Sequence, residues 1–396
     1  MHMADLDALY ERLAAAVTLQ NDDAAIRIRA EYEPQAGTGA KVFPPTYMES
    51  NGTRYHFERR WSPEGTPVEV VVLDSYQSQA NRCEAALDRV ADRLGLPRLL
   101  MRFTHDGVTI ELSNLAAPHR SRDAYFLDSV VGGTPFLVTP MGKELDQASV
   151  DDLTPLLIHV PTDLVYGLWD SHLKNRDLAL KLARSYTSEM IGWEPMRGKR
   201  AATKGDPLNL PGEDVVDRKA WRPFETETKK KKEQTGKEEK DKLNQLGHGM
   251  IPAAPNESIG GVAVRSISRL GVLSLIGLAQ LRFRDEEINR AGRTALAALA
   301  LAGDRLAFGG AGIHLRSGSD LVLRSESMEW VQRGARTEPL ELTTDDALQL
   351  VDLARERLAA AGVQWSPEPV VLSPSGPLAE VIRNVLTARG LEDAEA

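Results

Sequence analysis

The chain has almost no cysteine, with Cys83 alone among 396 residues. A single thiol cannot close an intrachain disulfide, so packing must hold the core and a reducing cytoplasm is the expected compartment. Cys83 itself reads as a small apolar packing residue rather than a reactive thiol. No run of about 18 apolar residues exists, so no membrane-spanning helix is expected. The first residues carry acidic side chains where a secretory signal carries basic ones. Positive charge is not in excess either: 48 Lys and Arg stand against 57 Asp and Glu, for a net charge of −9. Alone, that balance argues against a phosphate-rich partner. A groove senses only local charge, however, and basic clusters occur at Arg54, Arg59 and Arg60, at His119, Arg120 and Arg122, and at Arg197, Lys199, Arg200 and Lys204.

Common catalytic signatures are also missing. There is no Gly-x4-Gly-Lys-Ser/Thr phosphate loop, no Cys-x-x-Cys, and no two histidines three or four apart. Gly309-Gly310-Ala311-Gly312 lacks the spacing of a dinucleotide loop and reads as a turn. Ser171 and Lys174 match a Ser-x-x-Lys pattern, but the companion motifs of serine acyl-transfer enzymes are absent. Asp74, Asp123, Asp128 and Asp170 are the carboxylates to weigh for a metal-dependent nuclease. They share no fixed spacing, and capping or ion pairing explains each equally simply. Neither a metal nor a cofactor is expected.

Hydrophobic residues make up 42% of the chain, enough for a sizeable core. Leu6, Leu9, Leu13 and Val17 form one stripe of an N-terminal amphipathic helix. Alternation predicts a strand over 26–32, followed by a long Gly/Pro-rich loop, and a β-branched run predicts a buried strand over 68–74. A helix is expected from Ser78 to Leu94, stopping at Gly95 and Pro97, and a hairpin over 101–112 turning at Asp106-Gly107. Residues 193–224 have little periodicity. The run 225–242 has almost no apolar side chains and interleaves lysine with glutamate, the pattern of a solvated loop. Residues 260–267 predict a strand, 270–283 a buried helix, and 285–303 a helix capped by Asp285 and ended by Gly303. A hairpin over 313–323 and a well-capped helix over 343–362 follow. No repeat of about 20–50 residues is present, so a solenoid is not expected.

One segment is more specific. Asp74-Ser75-Tyr76-Gln77-Ser78-Gln79-Ala80-Asn81-Arg82 closes a strand and opens a helix. It resembles the hallmark block of the RNA-binding backbone subunit (Cas-seven group, RAMP superfamily) of the type I-U, or I-G, CRISPR Cascade surveillance complex. Further blocks follow in that family's order. They are His119-Arg120-Ser121, Gly167-Leu168-Trp169-Asp170-Ser171, Ala183-Arg184-Ser185, Ser188-Glu189, Asp206-Pro207-Leu208, Gly247-His248-Gly249, Gly260-Gly261-Val262, Val272-Leu273-Ser274-Leu275 and Leu315-Arg316-Ser317. The resemblance covers about residues 20 to 325. Departures occur where Pro118 replaces an alanine and Tyr166 a phenylalanine, where Leu246-Gly247-His248-Gly249-Met250 stands for Asn-His-Gly-Asn and loses two amides, and where Thr203-Lys204-Gly205-Asp206 stands for Ser-Arg-x-Asp.

The resemblance implies an α+β fold: an RRM-like (ferredoxin-like) palm, discontinuous within one domain spanning 1–396, with large insertions as thumb and finger-like elements. Region 190–257 is the thumb or lid candidate, and 340–396 a C-terminal helical extension. It also implies that copies line up along guide RNA (crRNA) and leave the bases free to pair with target DNA. Partners would be other copies, the large subunit, Cas-five or Cas-six type subunits and the helicase-nuclease, with no membrane. Phosphate contacts need amides, hydroxyls and arginines on rigid elements. The candidates are Lys41, Gln77, Ser78, Asn81, Arg82, His119, Arg120, Lys199, Arg200 and His248. Each has a plain alternative: Ser78 or Asn81 could cap, and Arg82 could pair with Asp74. No catalysis is expected. The alternatives are a metal-dependent ribonuclease subunit and a scaffold that assembles without RNA.

Overall fold

The computed structural model describes residues 3–49, 52–62, 64–169, 180–200, 203–217, 221, 240–251 and 259–394. Asp170, Ser171, Lys174 and most of the charged run 225–242 lie outside the described residues. In chain order the first third comprises α1 (Met3–Ala16), β1 (Asp23–Pro34), β2 (Lys41–Val42), β3 (Thr46–Glu49), β4 (Gly52–Tyr55), β5 (Phe57–Trp61), β6 (Pro67–Asp74), α2 (Tyr76–Asp88), α3 (Ala91–Leu94), β7 (Leu99–His105) and β8 (Val108–Ser113). A 3-10 turn (Arg120–Arg122) leads to α4 (Ala124–Leu127), β9 (Ser129–Val131), β10 (Thr134–Pro135), α5 (Pro140–Gln147), α6 (Thr154–His159) and α7 (Thr162–Tyr166). Next come β11 (Leu168–Trp169), β12 (Lys181–Leu182), β13 (Tyr186–Trp193), β14 (Met196–Arg197), β15 (Val215–Asp217), β16 (Lys240–Lys242), β17 (Val262–Ala263) and β18 (Ser266–Ser274). The last part holds α8 (Leu275–Leu278), α9 (Glu286–Phe308), β19 (Gly312–Arg316), β20 (Ser319–Gln332), β21 (Thr337–Pro339), α10 (Thr344–Ala360), β22 (Val370–Pro374) and α11 (Gly376–Ala394).

The fold is α+β. Its main sheet runs β19-β20-β1-β18-β13-β6-β5, with β21 also on β20, and every pairing in it is antiparallel. The side-chain period of two divides its faces. Ile26, Ile28, Leu273, Tyr186 and Trp330 point to the helical side and are buried in one core with α1, α2, α9 and α10. Arg27, Arg29, Leu270 and Glu329 occupy the other face, where Arg27 pairs with Glu329 at 2.6 Å. A second core gathers Tyr32, Val42, Tyr55, Val71, Leu73, Met190, Val262 and Ile267 around the insertion that carries β2 and β17. A smaller sheet, β10-β9-β22-β7-β8, includes a parallel pairing of β22 with β7.

Many expectations hold. The stripe of α1 is buried, Asp106 and Gly107 turn the β7–β8 hairpin with positive φ, Asp285 caps α9, and Thr343 with Asp346 forms a capping box on α10. Four differ. The helix expected from Ser78 starts at Tyr76, because Ser75 is the N-cap, and it breaks near Arg89-Val90 before α3. The helix expected over 270–283 is strand up to Ser274 and helical only over 275–278. β18 pairs with β1 and β13, and it carries apolar residues on both faces, with Leu270 exposed and Val272 half-buried opposite the buried Leu273, so its run of letters shows no period of two. β13 carried no clear strand signal, since Ser188 and Glu189 are polar yet buried. Helix α9 passes through Gly303 to Phe308, and Gly303 is there because a Cβ would sit 2.3 Å from the Tyr166 hydroxyl.

Boundaries shift as well. Residues 190–193 complete β13 and 240–242 form β16 against β15, so both ends of the irregular region supply strands. Residues 340–394 contribute two helices and the strand β22. Among the described residues no helix is long and apolar enough to cross a membrane.

Candidate nucleic-acid interface

Strand β6 ends in Asp74, and Ser75 accepts the Ser78 amide at 3.4 Å to open α2. That start leaves Gln77 and Asn81 exposed and Ser78 half-buried around the helix N-terminus, while Gln79 turns inward. Arg82 lies one turn on. Its Nε donates to Asp74 Oδ2 at 2.8 Å, and its terminal nitrogens donate to the carbonyls of His314 (3.1 Å) and Leu315 (3.2 Å) in β19. The helix entrance is therefore tied to the β19–β20 hairpin.

That hairpin continues the connection. Arg316 donates to Pro44 O at 3.0 Å, and the Ser319 hydroxyl bridges the Phe43 amide and carbonyl at 2.8 and 2.9 Å. Phe43 packs on Gly318, whose φ of +75° forms the turn. From Phe43 the chain leads back through β2 to Lys41, which pairs in a three-stranded sheet with β17 and, through it, with β14. Lys41 Nζ donates to Gly260 O at 3.4 Å and lies 2.8 Å from where a Cβ of Gly198 would be. The backbones of Lys199 and Gly260 touch so closely that only glycine fits at 260. Lys41, Lys199 and Arg200 are all exposed at this corner. One contact chain thus joins Gln77, Ser78, Asn81 and Arg82 to Lys41, Lys199 and Arg200 through His314, Arg316 and Phe43.

The remaining candidates sit elsewhere. His119 is exposed beside the 3-10 turn, but Arg120 turns inward, with its side chain 11% exposed and bonded to Glu84 at 2.5 and 2.8 Å and to Gly167 O at 3.1 Å. Arg122 is buried and donates to Leu145 O at 2.5 Å. Of the basic cluster expected at 119–122, two members therefore serve the interior. His248 lies in the turn after β16, stacked edge-on against Trp221 with centroids 5.3 Å apart. Asp206 organises that turn, accepting the amides of Leu208, Leu210 and Gly249. Asp74 is bound to Gln79 and Arg82, and Asp123 caps α4.

Four residues escaped the sequence reading as contacts: Arg316, Phe43, Trp169 and Lys181. Trp169 is 59% exposed on the short β11–β12 ladder, with Lys181 Nζ 5.8 Å from its ring. Arg316 and Trp169 already stood within the ordered blocks. Phe43 had no local signal, because its partner, Ser319, lies 276 residues away.

Beneath the sheet runs a buried polar network. Arg269, fully buried, contacts Gln79 (3.1 Å), Ser188 (3.0 Å), Tyr186 (2.6 Å) and Asp304, and its guanidinium stacks 3.7 Å from the Phe308 ring centroid. Arg305 joins Asp304 to Glu326. Burial would raise the Asp304 carboxyl, but Arg269 and Arg305 hold it below the ordinary range. The opposite balance holds at Glu84, where burial raises the carboxyl to about 7 against the pull of Arg120. Asp163, hydrogen-bonded to Ser121, is pushed by burial to about 6. Burial also raises the Cys83 thiol, in keeping with an inert packing residue. Among the described residues, no three of His, Cys, Asp and Glu cluster as ligands for an ion.

Over residues 26–196, a little under half of the chain, the sequence matches a family model described as CRISPR-associated protein GSU0053. That stretch runs from β1 to β14 and holds the α2 entrance, Arg120 and the β11–β12 ladder. The match supports a CRISPR-associated protein and a place in a CRISPR-associated complex. No curated protein matches the chain.

Proposed function

We propose that this protein is a non-enzymatic guide-RNA-binding backbone subunit of a type I-U (I-G) CRISPR surveillance complex, which oligomerises along crRNA and presents it to target DNA. The observation that carries this reading is the contact chain from the α2 N-terminus to the Lys41 corner. It connects Arg82, Arg316 and Lys41 by hydrogen bonds, with the exposed Gln77 and Asn81 beside one end and the exposed Lys199 and Arg200 beside the other. Charges and amides along one connected tract suit a phosphate backbone, and they read no base. The acidic total is compatible, since one groove needs positive potential while other faces favour solubility.

The topology supports an RRM-like palm. Counting β1, α2, β13, β18, α9 and β20 gives β-α-β-β-α-β, with the four strands adjacent in the order β20-β1-β18-β13. The family match supports the CRISPR setting. The test is to co-express the protein with a CRISPR array, purify it, and sequence the nucleic acid that it carries. Processed array transcripts are expected. Host RNA without enrichment of array sequences refutes the reading, and EDTA-sensitive cleavage of complementary RNA by the complex replaces it with the ribonuclease.

A further inference from the structure

Arg120 occupies the left-handed region at φ +52°, a conformation that a long side chain adopts only when its surroundings hold it. Those surroundings are specific. Glu84 on α2 takes Nε and Nη2 in a two-pronged pair, and Nη1 reaches the carbonyl of Gly167. Gly167 is where the chain leaves α7 and enters β11. Its φ is +92°, and a Cβ there would lie 3.0 Å from Arg184 Cγ and 3.2 Å from Leu182 O. Arg120, Gly167 and Arg184 therefore meet at the base of the β11–β12 ladder, from the outgoing and the returning side. Leu168 and Leu180 are buried there, whereas Trp169 and Lys181 stand exposed on the next rung.

We propose that Arg120 is a positioning residue: its pairing with Glu84 and Gly167 sets the direction in which β11–β12 presents Trp169 and Lys181 to single-stranded RNA. The proposal rests on the RNA-binding reading above and gives a ring and a cation to an element that reading leaves without a role. An exposed indole offers a sequence-tolerant stacking face, and a neighbouring lysine a phosphate contact. Neither contributes if the ladder points elsewhere. Among the described residues the ladder has two pairings, Leu168 with Leu182 and Trp169 with Lys181, and the Arg120 bond to Gly167 O lies directly at its base.

The test uses the full-length protein and four variants: Arg120→Lys, Glu84→Gln, Trp169→Ala, and Arg120→Lys combined with Trp169→Ala. In Arg120→Lys, which keeps the charge but loses the fork, hydrogen exchange at residues 168–169 and 181–182 should rise at least about tenfold while β1 and β18 stay protected. Affinity for an unstructured oligouridylate should fall roughly tenfold, to the level of Trp169→Ala, and the double variant should bind no more weakly than Trp169→Ala alone. Glu84→Gln should behave as Arg120→Lys does. Additive losses with a shallower salt dependence would mean that Arg120 touches RNA itself. Faster exchange throughout the sheet would make the pair an ordinary core contact. Either result overturns the proposal. If the wild type binds no RNA but the exchange change stays local, the RNA reading fails and the grip of Arg120 on the ladder stands.

Discussion

Arg82 spends its guanidinium inside the molecule: Asp74 holds Nε at 2.8 Å, and the carbonyls of His314 and Leu315 take the other two nitrogens. The side chain is still 28% exposed. It locks helix to hairpin and shows one edge to solvent, so two effects of its loss must be separated. Arg82→Ala should lower stability by about 1–3 kcal/mol, because buried Asp74 loses its cation. If the exposed edge also meets a phosphate, the slope of log affinity against log salt should drop by about 0.7 on single-stranded RNA. Melting temperature and salt-dependent affinity on the same variant measure both. An unchanged slope with lower stability would confine Arg82 to the lock.

Lys41→Glu and Arg316→Glu test the other end of the tract. Each should weaken RNA binding by about tenfold or more, through one lost phosphate contact and one repulsive charge. Lys41→Glu should leave the melting temperature nearly unchanged, since the bond that Lys41 makes among the described residues, to Gly260 O, is long at 3.4 Å. Arg316→Glu should cost some stability by freeing the Pro44 carbonyl. Fluorescence anisotropy at two salt concentrations checks both, and wild-type affinity in Lys41→Glu would remove that corner from the interface.

Stability should depend on pH in two opposite ways. Glu84, near 7 in the folded protein against a usual 4.5, keeps a proton that the unfolded chain has released. Stability therefore falls as pH rises from about 4.5 to about 7, by roughly 3 kcal/mol for this group, and levels off above. Asp163, near 6, adds a loss of the same sign that ends lower. Asp304, held below its usual 3.8, contributes stability that disappears as pH falls through the acid range. Urea midpoints from pH 3.5 to 8 should peak at mildly acidic pH, and Glu84→Gln should flatten the descending limb. An identical limb in that variant would contradict the assignment.

The Arg269–Asp304 pair should be hard to break from one side. Asp304→Asn removes the nearest carboxylate from the fully buried Arg269 guanidinium, leaving Glu326 at 3.8 Å, and the expected cost is about 3 kcal/mol. Replacing Arg269 and Asp304 together by Met and Leu should cost clearly less than the sum of the single changes. Urea denaturation of the two single variants and the double variant decides this, and simple additivity would show that the two groups are not coupled.

Much of the scaffold was legible because local chemistry specifies it. Asp285 and Thr343 announce helix starts through their own side chains, Asp106-Gly107 announces its turn, and the β-branched run before Asp74 announces a buried strand. The ordered blocks also brought Arg82 and His248 under suspicion without geometry, and a basic cluster brought Lys199. Residues 270–274 were misread because apolar residues stand on both faces of β18, Leu270 and Val272 on the more open one and Leu273 on the buried one, which hides the period that tells strand from helix. β13 was missed because Ser188 and Glu189 are polar for partners far along the chain, Arg269 and Arg60.

What the sequence by itself determined is therefore element type wherever caps, turns and periodicity act within a few residues. It also determined that a lone thiol, Cys83, can close no intrachain disulfide. Only the tertiary structure decided the direction of each charge. Arg120, Arg122 and Lys41 all look basic in a row of letters, yet two point into the core and one stays at the surface. The reason is that a guanidinium goes wherever it finds a carboxylate or carbonyl to satisfy it. For Arg120 those groups are Glu84 and Gly167, 36 and 47 residues away, and only folding brings them together.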